Sequence, residues 1–299
     1  MAQQNSCDKA ATKTWTLAAA SAAPTTPTLS ATSRPASPSA SAPSASATSA
    51  VPSATATGPA TPTASATSAL GAWPTPSGQQ AVTSTIEVSG TYDGSLKRFY
   101  GSGALGSDDQ GEGQDPLFTL ADGAVLKNVV LGTPAADGVH CLGSCTLQNV
   151  WWENVGEDAA SFKGKSASAT YLVSGGGAKG ADDKVFQHNG AGTLTIKDFQ
   201  VSDFGKLYRS CGNCSTQYKR AVVISNVKVT APGKVLAGIN TNYGDTATIS
   251  GLQIVGDSGK KIKICERFKG NDTGAEPTSL GSGPDGTSCR YTASDVTYS

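Results

Sequence analysis

One short phrase recurs along this chain. Leu126-Lys-Asn128-Val129, Leu147-Gln-Asn149-Val150, Leu172-Val-Ser174-Gly175, Ile196-Lys-Asp198-Phe199, Ile224-Ser-Asn226-Val227 and Ile249-Ser-Gly251-Leu252 each set a small polar residue or Gly two places after an aliphatic one. The third positions, 128, 149, 174, 198, 226 and 251, step by 21, 25, 24, 28 and 25 residues, a period typical of solenoids. Such a unit is too short for a βαβ crossover, and no long 3.6-residue apolar face accompanies it. The alternation from Val222 to Val229 reads as strand. A coil of short strands with Asn, Ser, Asp or Gly at each corner is a parallel β-helix, and Asn at equivalent corners can stack its amides along the axis. The alternative is an antiparallel sandwich, but its strands recur about every 8–12 residues without a shared corner residue.

The prolines divide the chain. Ten of the 15 lie between Pro24 and Pro76, in Ala, Ser, Thr and Pro whose only charge is Arg34. That composition cannot bury enough apolar surface to offset the entropy of ordering, so residues 24–80 are expected to be a disordered linker, resembling the O-glycosylated stalks of secreted proteins. Residues 1–23 make a poor signal peptide, because the apolar patch Trp15–Ala20 is shorter than about 7–15 residues. The folded domain is expected over 81–299.

Six of the seven cysteines, Cys141, Cys145, Cys211, Cys214, Cys265 and Cys289, follow the linker; Cys7 precedes it. An even set fits three disulfides in an oxidising compartment. Cys141-x3-Cys145 with Cys211-x2-Cys214 offers zinc as the rival reading. Two sequons, Asn213-Cys-Ser and Asn271-Asp-Thr, agree with export. Lys+Arg 23 against Asp+Glu 23 gives no general attraction to nucleic acid or to an anionic membrane, and no apolar run is long enough to span a bilayer. With two histidines, a three-His zinc centre is excluded, so a catalytic metal would take oxygen ligands.

The scarce charges between 137 and 209 follow an order. Asp137 in AADGVHC and Glu157-Asp158 in GEDA come first, then Lys184 in DDKVFQ, then Lys206 and Arg209 in GKLYR. Hard oxygen ligands beside basic side chains point to metal-assisted chemistry on an acidic substrate. Asp137 and Glu157 are 20 residues apart, close to one coil, and coils stack about 4.8 Å apart, so these acids can share a face. A single Asp in a Gly-flanked turn is more often a turn residue.

The segments ADGAVLKNVVLG, DGVHCLGSCTLQNVWWENVGEDAASFKG, DDKVFQHNGAGTLTIKDF, FGKLYRSCGNCSTQYKR and INTNYGDTATI resemble secreted pectate lyases of the third family of polysaccharide lyases, over roughly Ala81–Gly270. The resemblance implies a single-stranded, right-handed parallel β-helix that cleaves de-esterified pectin by calcium-dependent β-elimination. It implies that Asp137, Glu157 and Asp158 bind Ca2+, that Lys184 is the base, and that Lys206 and Arg209 line the same cleft. Glu112 in GEGQDPLF matches an acid near substrate or calcium. Gly156 stands where many fungal members have Cys, which leaves the family's disulfide pairing open. The expected partner is the polygalacturonate of plant cell walls, met outside the cell by a monomer.

Elimination removes the proton on C5 of a uronate while the C4 oxygen leaves, and negative charge develops beside the carboxylate. A base must be uncharged. Cations near Lys184 would lower its pKa and carboxylates would oppose that, so an alkaline optimum is expected, with Arg209 as carboxylate clamp or as alternative base. Lys163 is a further expected substrate contact. His140 and His188 read as structural, and at least one of Trp151 and Trp152 as core. Two other functions remain: a polygalacturonase-type hydrolase, for which paired catalytic aspartates are missing, and a non-catalytic carbohydrate-binding β-helix.

Overall fold

The computed structural model describes residues 70–111 and 113–299. The expected N-terminal segment, the linker up to residue 69, Cys7 and Glu112 lie outside them. The strands are β1 (Gln79–Val82), β2 (Ile86–Val88), β3 (Thr91–Gly101), β4 (Phe118–Leu120), β5 (Ala124–Leu131), β6 (Val139–Cys141), β7 (Cys145–Trp152) and β8 (Asp158–Phe162). They continue with β9 (Thr170–His188), β10 (Gly192–Ser210), β11 (Arg220–Asn240), β12 (Thr246–Val255), β13 (Lys263–Lys269), β14 (Thr278–Ser282), β15 (Cys289–Arg290) and β16 (Val296–Tyr298).

Pairing is parallel throughout except between β13 and β14. One row of partners runs β1-β3-β5-β7-β9-β10-β11-β12. A second runs β2-β4-β6-β8 and joins the C-terminal half of β9. In β9, β10 and β11 the chain stays in ladder around the corner, so each is 19 to 21 residues long. The expected parallel β-helix is what forms.

The corners explain the repeat. Asn128, Asn149, Asp198 and Asn226 all adopt left-handed backbone (φ 53, 54, 55 and 50°), with Gly175 and Gly251 at φ 71 and 61°. L-residues pay for that conformation except Gly, Asn and Asp, whose short polar side chains bond locally. Asn149 Nδ2 donates to Asn128 Oδ1 (2.9 Å), Asn128 Nδ2 to Asp93 Oδ1 (3.0 Å) and Asn226 Nδ2 to Asp198 Oδ1 (2.7 Å). The third coil corrects the expected register by one residue: Ser174 pairs with Gln148 and Lys197, so Gly175 stands at the corner. The positive φ is what a corner requires, and Gly meets it more easily than Ser.

Inside, aromatic side chains from neighbouring coils pack against one another across the core. Phe162, Phe186 and Phe199 follow one another with ring centroids 6.0 and 5.4 Å apart, and Trp152 caps Phe186 at 5.8 Å. The Trp152–Phe186 pair is edge-on and the two Phe pairs are tilted, arrangements that add stability beyond buried area. Trp152 is fully buried, and Trp151 is 3% exposed under Trp73, whose ring centroid lies 4.9 Å away. Neither tryptophan is a sugar platform. Trp73 and the strand Gln79–Val82 bring packed chain to both sides of the expected 80/81 boundary. His188 is fully buried, accepting at Nδ1 from Tyr208 OH (3.0 Å) and donating from Nε2 to Ala191 O (3.2 Å). The cysteines form three disulfides, Cys141–Cys145, Cys211–Cys214 and Cys265–Cys289, so the zinc alternative falls.

Candidate active site

The second row of strands carries the site. Asp158 on β8 is the Cα partner of Lys184 on β9, which partners Lys206 on β10; likewise Ser161, Gln187 and Arg209 align. Paired positions of parallel strands point the same way, which aligns 158, 184 and 206 in one row and 187 and 209 in another, and Lys184, Gln187, Lys206 and Arg209 all reach one cleft. Asp137 enters from the preceding coil, where the Glu157 amide donates to Ala136 O (3.1 Å).

Asp137, Glu157 and Asp158 are 8, 6 and 2% exposed and offer ligand oxygens within 4.8 Å of one another. Burial pushes the Asp158 carboxyl well above the usual range; Lys184 opposes this, and Glu157 and Asp137 add to it. Its Oδ2 accepts from Ser161 Oγ (3.1 Å), while the buried Oδ1 accepts no hydrogen bond. Three buried carboxylates this close repel one another, and Lys184, whose Nζ lies 3.6 Å from Asp158 Oδ1, is one positive charge set against three negative ones, so a hard cation would offset what remains. An oxygen-only donor set fits calcium better than a softer metal.

Asp137 is oriented from behind. His140 Nε2–H donates to Asp137 Oδ2 (2.6 Å), and Lys163 Nζ lies 3.1 Å from both His140 ring nitrogens, of which Nδ1 is the one left to accept. Burial, helped by Lys163, holds the His140 pKa down at about 3, so the ring is neutral and that tautomer is self-consistent. The structure thus places Lys163 on His140, behind an acid of the cluster.

Lys184 Nζ sits 2.8 Å from Asp183 Oδ2, 3.5 Å from Glu157 Oε1 and 3.6 Å from Asp158 Oδ1. Burial pulls its pKa down, but Asp158, Asp183 and Glu157 together outweigh burial and hold it well above the ordinary lysine range. The opposition expected from nearby carboxylates thus comes from these three acids. Asp183, which the sequence reading passed over, bridges Lys184 to Lys206, whose Nζ is 2.6 Å from Oδ1. Burial opposes ionisation of Asp183, and the two ammonium groups overcome it and hold its pKa far below normal. The adjacent acids of DDK were the available signal.

Arg209 is 6% exposed, and burial lowers its pKa to about 10, against the opposing charge of Asp245. It donates to Asn240 Oδ1 (3.0 Å) and lies 4.2 Å over the Phe268 ring. Lys184, Lys206, Arg209, Phe268, Glu276 and Pro277 line one cleft. Acids that can hold a hard cation therefore adjoin cations that can hold an acidic ligand.

The relatives agree with that arrangement. The family model described as pectate lyase matches residues 70–275. A probable pectate lyase E of Neosartorya fischeri is 52% identical over 224 residues, covering 74% of this chain and 85% of the relative. Pectate lyase E of Emericella nidulans is 49% identical over 224 residues, covering 74% and 85%. Among solved structures, the catalytic domain of pectate lyase PelI from Erwinia chrysanthemi is 34% identical with a TM-score of 0.63, covering 74% of this chain and 99% of that one. The same enzyme in complex with tetragalacturonic acid is 35% identical with a TM-score of 0.63, covering 73% and 70%. With its β-helix and with a family match across most of its length, the chain is a lyase and belongs to the pectate lyase family.

Proposed function

We propose that this enzyme cleaves polygalacturonate by calcium-dependent β-elimination, leaving 4,5-unsaturated oligogalacturonides. The observation that carries the reading is the convergence of three buried carboxylates with Lys184, Lys206 and Arg209 on one face. Asp137, Glu157 and Asp158 would hold the ion. Calcium supplies positive charge that offsets the protein carboxylates and the charge developing beside the uronate carboxylate.

Arg209 pairs with a uronate carboxylate through its planar fork. Lys184, once neutral, takes the C5 proton. Its three carboxylate neighbours favour the ammonium, so the neutral amine is scarce until pH is high or the acids are otherwise engaged. Asp183 accepts from Lys184 and from Lys206 and so keeps the amine pointed into the cleft. His140 and Lys163 hold Asp137 in place. The chain acts outside the cell, in keeping with its three disulfides.

The test is absorbance of the unsaturated uronate on polygalacturonate, with calcium and with chelator, from neutral to alkaline pH. Calcium-dependent absorbance growth that rises with pH is expected. Chain cleavage with no absorbance would mean hydrolysis, and binding without cleavage would mean a carbohydrate-binding module.

A further inference from the structure

Arg209 rests in a cradle that gives it no ion pair among the described residues. Its Nη1 donates to Asn240 Oδ1 (3.0 Å), and the Phe268 ring lies 4.2 Å from the guanidinium carbon. Its stem crosses Gly238, where a Cβ would stand 3.0 Å from Arg209 Cδ and 3.3 Å from Phe268 Cε2. On the other side a Cβ at Gly212 would overlap Arg209 Nη2 and Pro277 Cγ. Asn240 is fully buried and fixed at both ends: Nδ2 donates to Cys211 O (2.8 Å), and its backbone amide donates to Asp245 Oδ2 (3.0 Å). Asp245 Oδ1 in turn accepts from the Arg220 amide (2.8 Å), so that carboxylate is turned onto backbone amides.

The contrast with the neighbouring cations is direct. Lys184 and Lys206 share Asp183, whereas among the described residues no carboxylate forms an ion pair with Arg209. A buried guanidinium normally finds an acid, because leaving it unpaired is costly. A carboxamide has the shape of a carboxylate without its charge, and an aromatic face attracts a guanidinium through its quadrupole without carrying a charge.

We infer that Asn240 and Phe268 are positioning residues that aim Arg209 without forming an ion pair with it, so that a uronate carboxylate of the substrate completes the pair. This rests on the clamp role proposed above for Arg209. An Asp at 240 would complete the pair internally, and the substrate would have to displace it. The cradle thus selects an ionised uronate over its methyl ester.

The test compares Asn240→Asp, Phe268→Leu, Phe268→Trp and Arg209→Ala, each checked for fold by circular dichroism and thermal melting. Activity is measured on polygalacturonate and on highly methyl-esterified pectin. Asn240→Asp is expected to raise KM for polygalacturonate about tenfold or more, since hydrogen bonds to charged groups carry that weight. The change in kcat should be smaller, and the preference for polygalacturonate over the ester should fall. Phe268→Leu should raise KM about two- to fivefold, and Phe268→Trp, which keeps a ring face for the cation, should restore it. If Arg209→Ala destroys activity while Asn240→Asp leaves KM and preference unchanged, the inference is overturned and the clamp stands. If Arg209→Ala is as active as the wild type, the clamp fails and the inference goes with it. Should Asn240→Asp not fold, the Phe268 pair decides: equal KM values for Leu, Trp and wild type overturn the inference.

Discussion

Asp158 and Lys184 are Cα partners on adjacent parallel strands, and Lys184 Nζ lies 3.6 Å from Asp158 Oδ1. One coil of the solenoid therefore sets the separation between an acid of the cation cluster and the amine beside it. The same register puts Lys206 a coil further on, across Asp183. The ladder fixes the relative positions of Asp158, Lys184 and Lys206.

Lys184→Met should separate the two roles of that amine. Turnover should be lost, because no other amine contacts all of Asp158, Glu157 and Asp183 among the described residues. In chelator the variant should be less stable by roughly 3–5 kcal/mol, as expected when one partner of a buried ion cluster is removed. Calcium affinity should rise, since a competing positive charge has gone. Thermal melts with and without calcium, together with calorimetric titration, check this. An unchanged melt in chelator, or weaker calcium binding, contradicts it.

Much of this was legible in the sequence because the fold repeats its demands. Each corner needs positive φ, and Asn128, Asn149, Asp198 and Asn226 announce it. The register slipped by one at Ser174-Gly175, where two adjacent small residues both fit the pattern. The convergence of Asp137, Glu157 and Asp158 followed from the coil length. The direction of the Lys184 pKa was not legible, since Glu157 and Asp158 reach it from another coil. The Arg209 cradle was hidden for the same reason, with Asn240 and Phe268 supplied by β11 and β13.

Acid should destabilise the fold through His188. Burial, reinforced by Arg220, pushes its pKa down to about 3. Below about 6.5 the unfolded chain binds a proton that the folded ring refuses. Stability from this group therefore falls as pH drops from about 6.5 toward about 3, by about 1.4 kcal/mol per unit. His188→Gln lacks that proton, so the stability gap between wild type and variant in urea should narrow with falling pH. Parallel stability curves would contradict the assignment.

The corner ladder should respond differently to Gly and Ala. Asn149 holds φ 54°, donates to Asn128 Oδ1 and accepts from Trp151 Nε1 at 2.7 Å. Asn149→Ala loses both bonds, leaves the indole N–H without that acceptor and keeps the backbone strain, for roughly 2–4 kcal/mol. Asn149→Gly loses the same bonds but not the strain, and should cost about 1 kcal/mol less. Urea unfolding with an unchanged m-value checks the order. A Gly variant no more stable than Ala would place the cost outside the corner.

Export would bring both sequons before the glycosylation machinery, and the fold can carry only one of them decorated. Asn213 is 8% exposed and lines the cleft, and Cys214 within its sequon is locked to Cys211. A glycan there would occupy the space assigned to substrate. Asn271 stands in an exposed turn, where Thr273 Oγ1 and its amide donate to Asn271 Oδ1 (2.9 and 3.0 Å). Its Nδ2 donates to Ala275 O (2.8 Å), and an N-linked sugar replaces one of two amide hydrogens, leaving the other for that bond. Protein secreted from a yeast host should therefore carry a single N-glycan that Asn271→Gln removes and Asn213→Gln does not, read by peptide mass after enzymatic deglycosylation. Sugar on Asn213 in active enzyme would contradict both this assignment and the placement of substrate in the cleft.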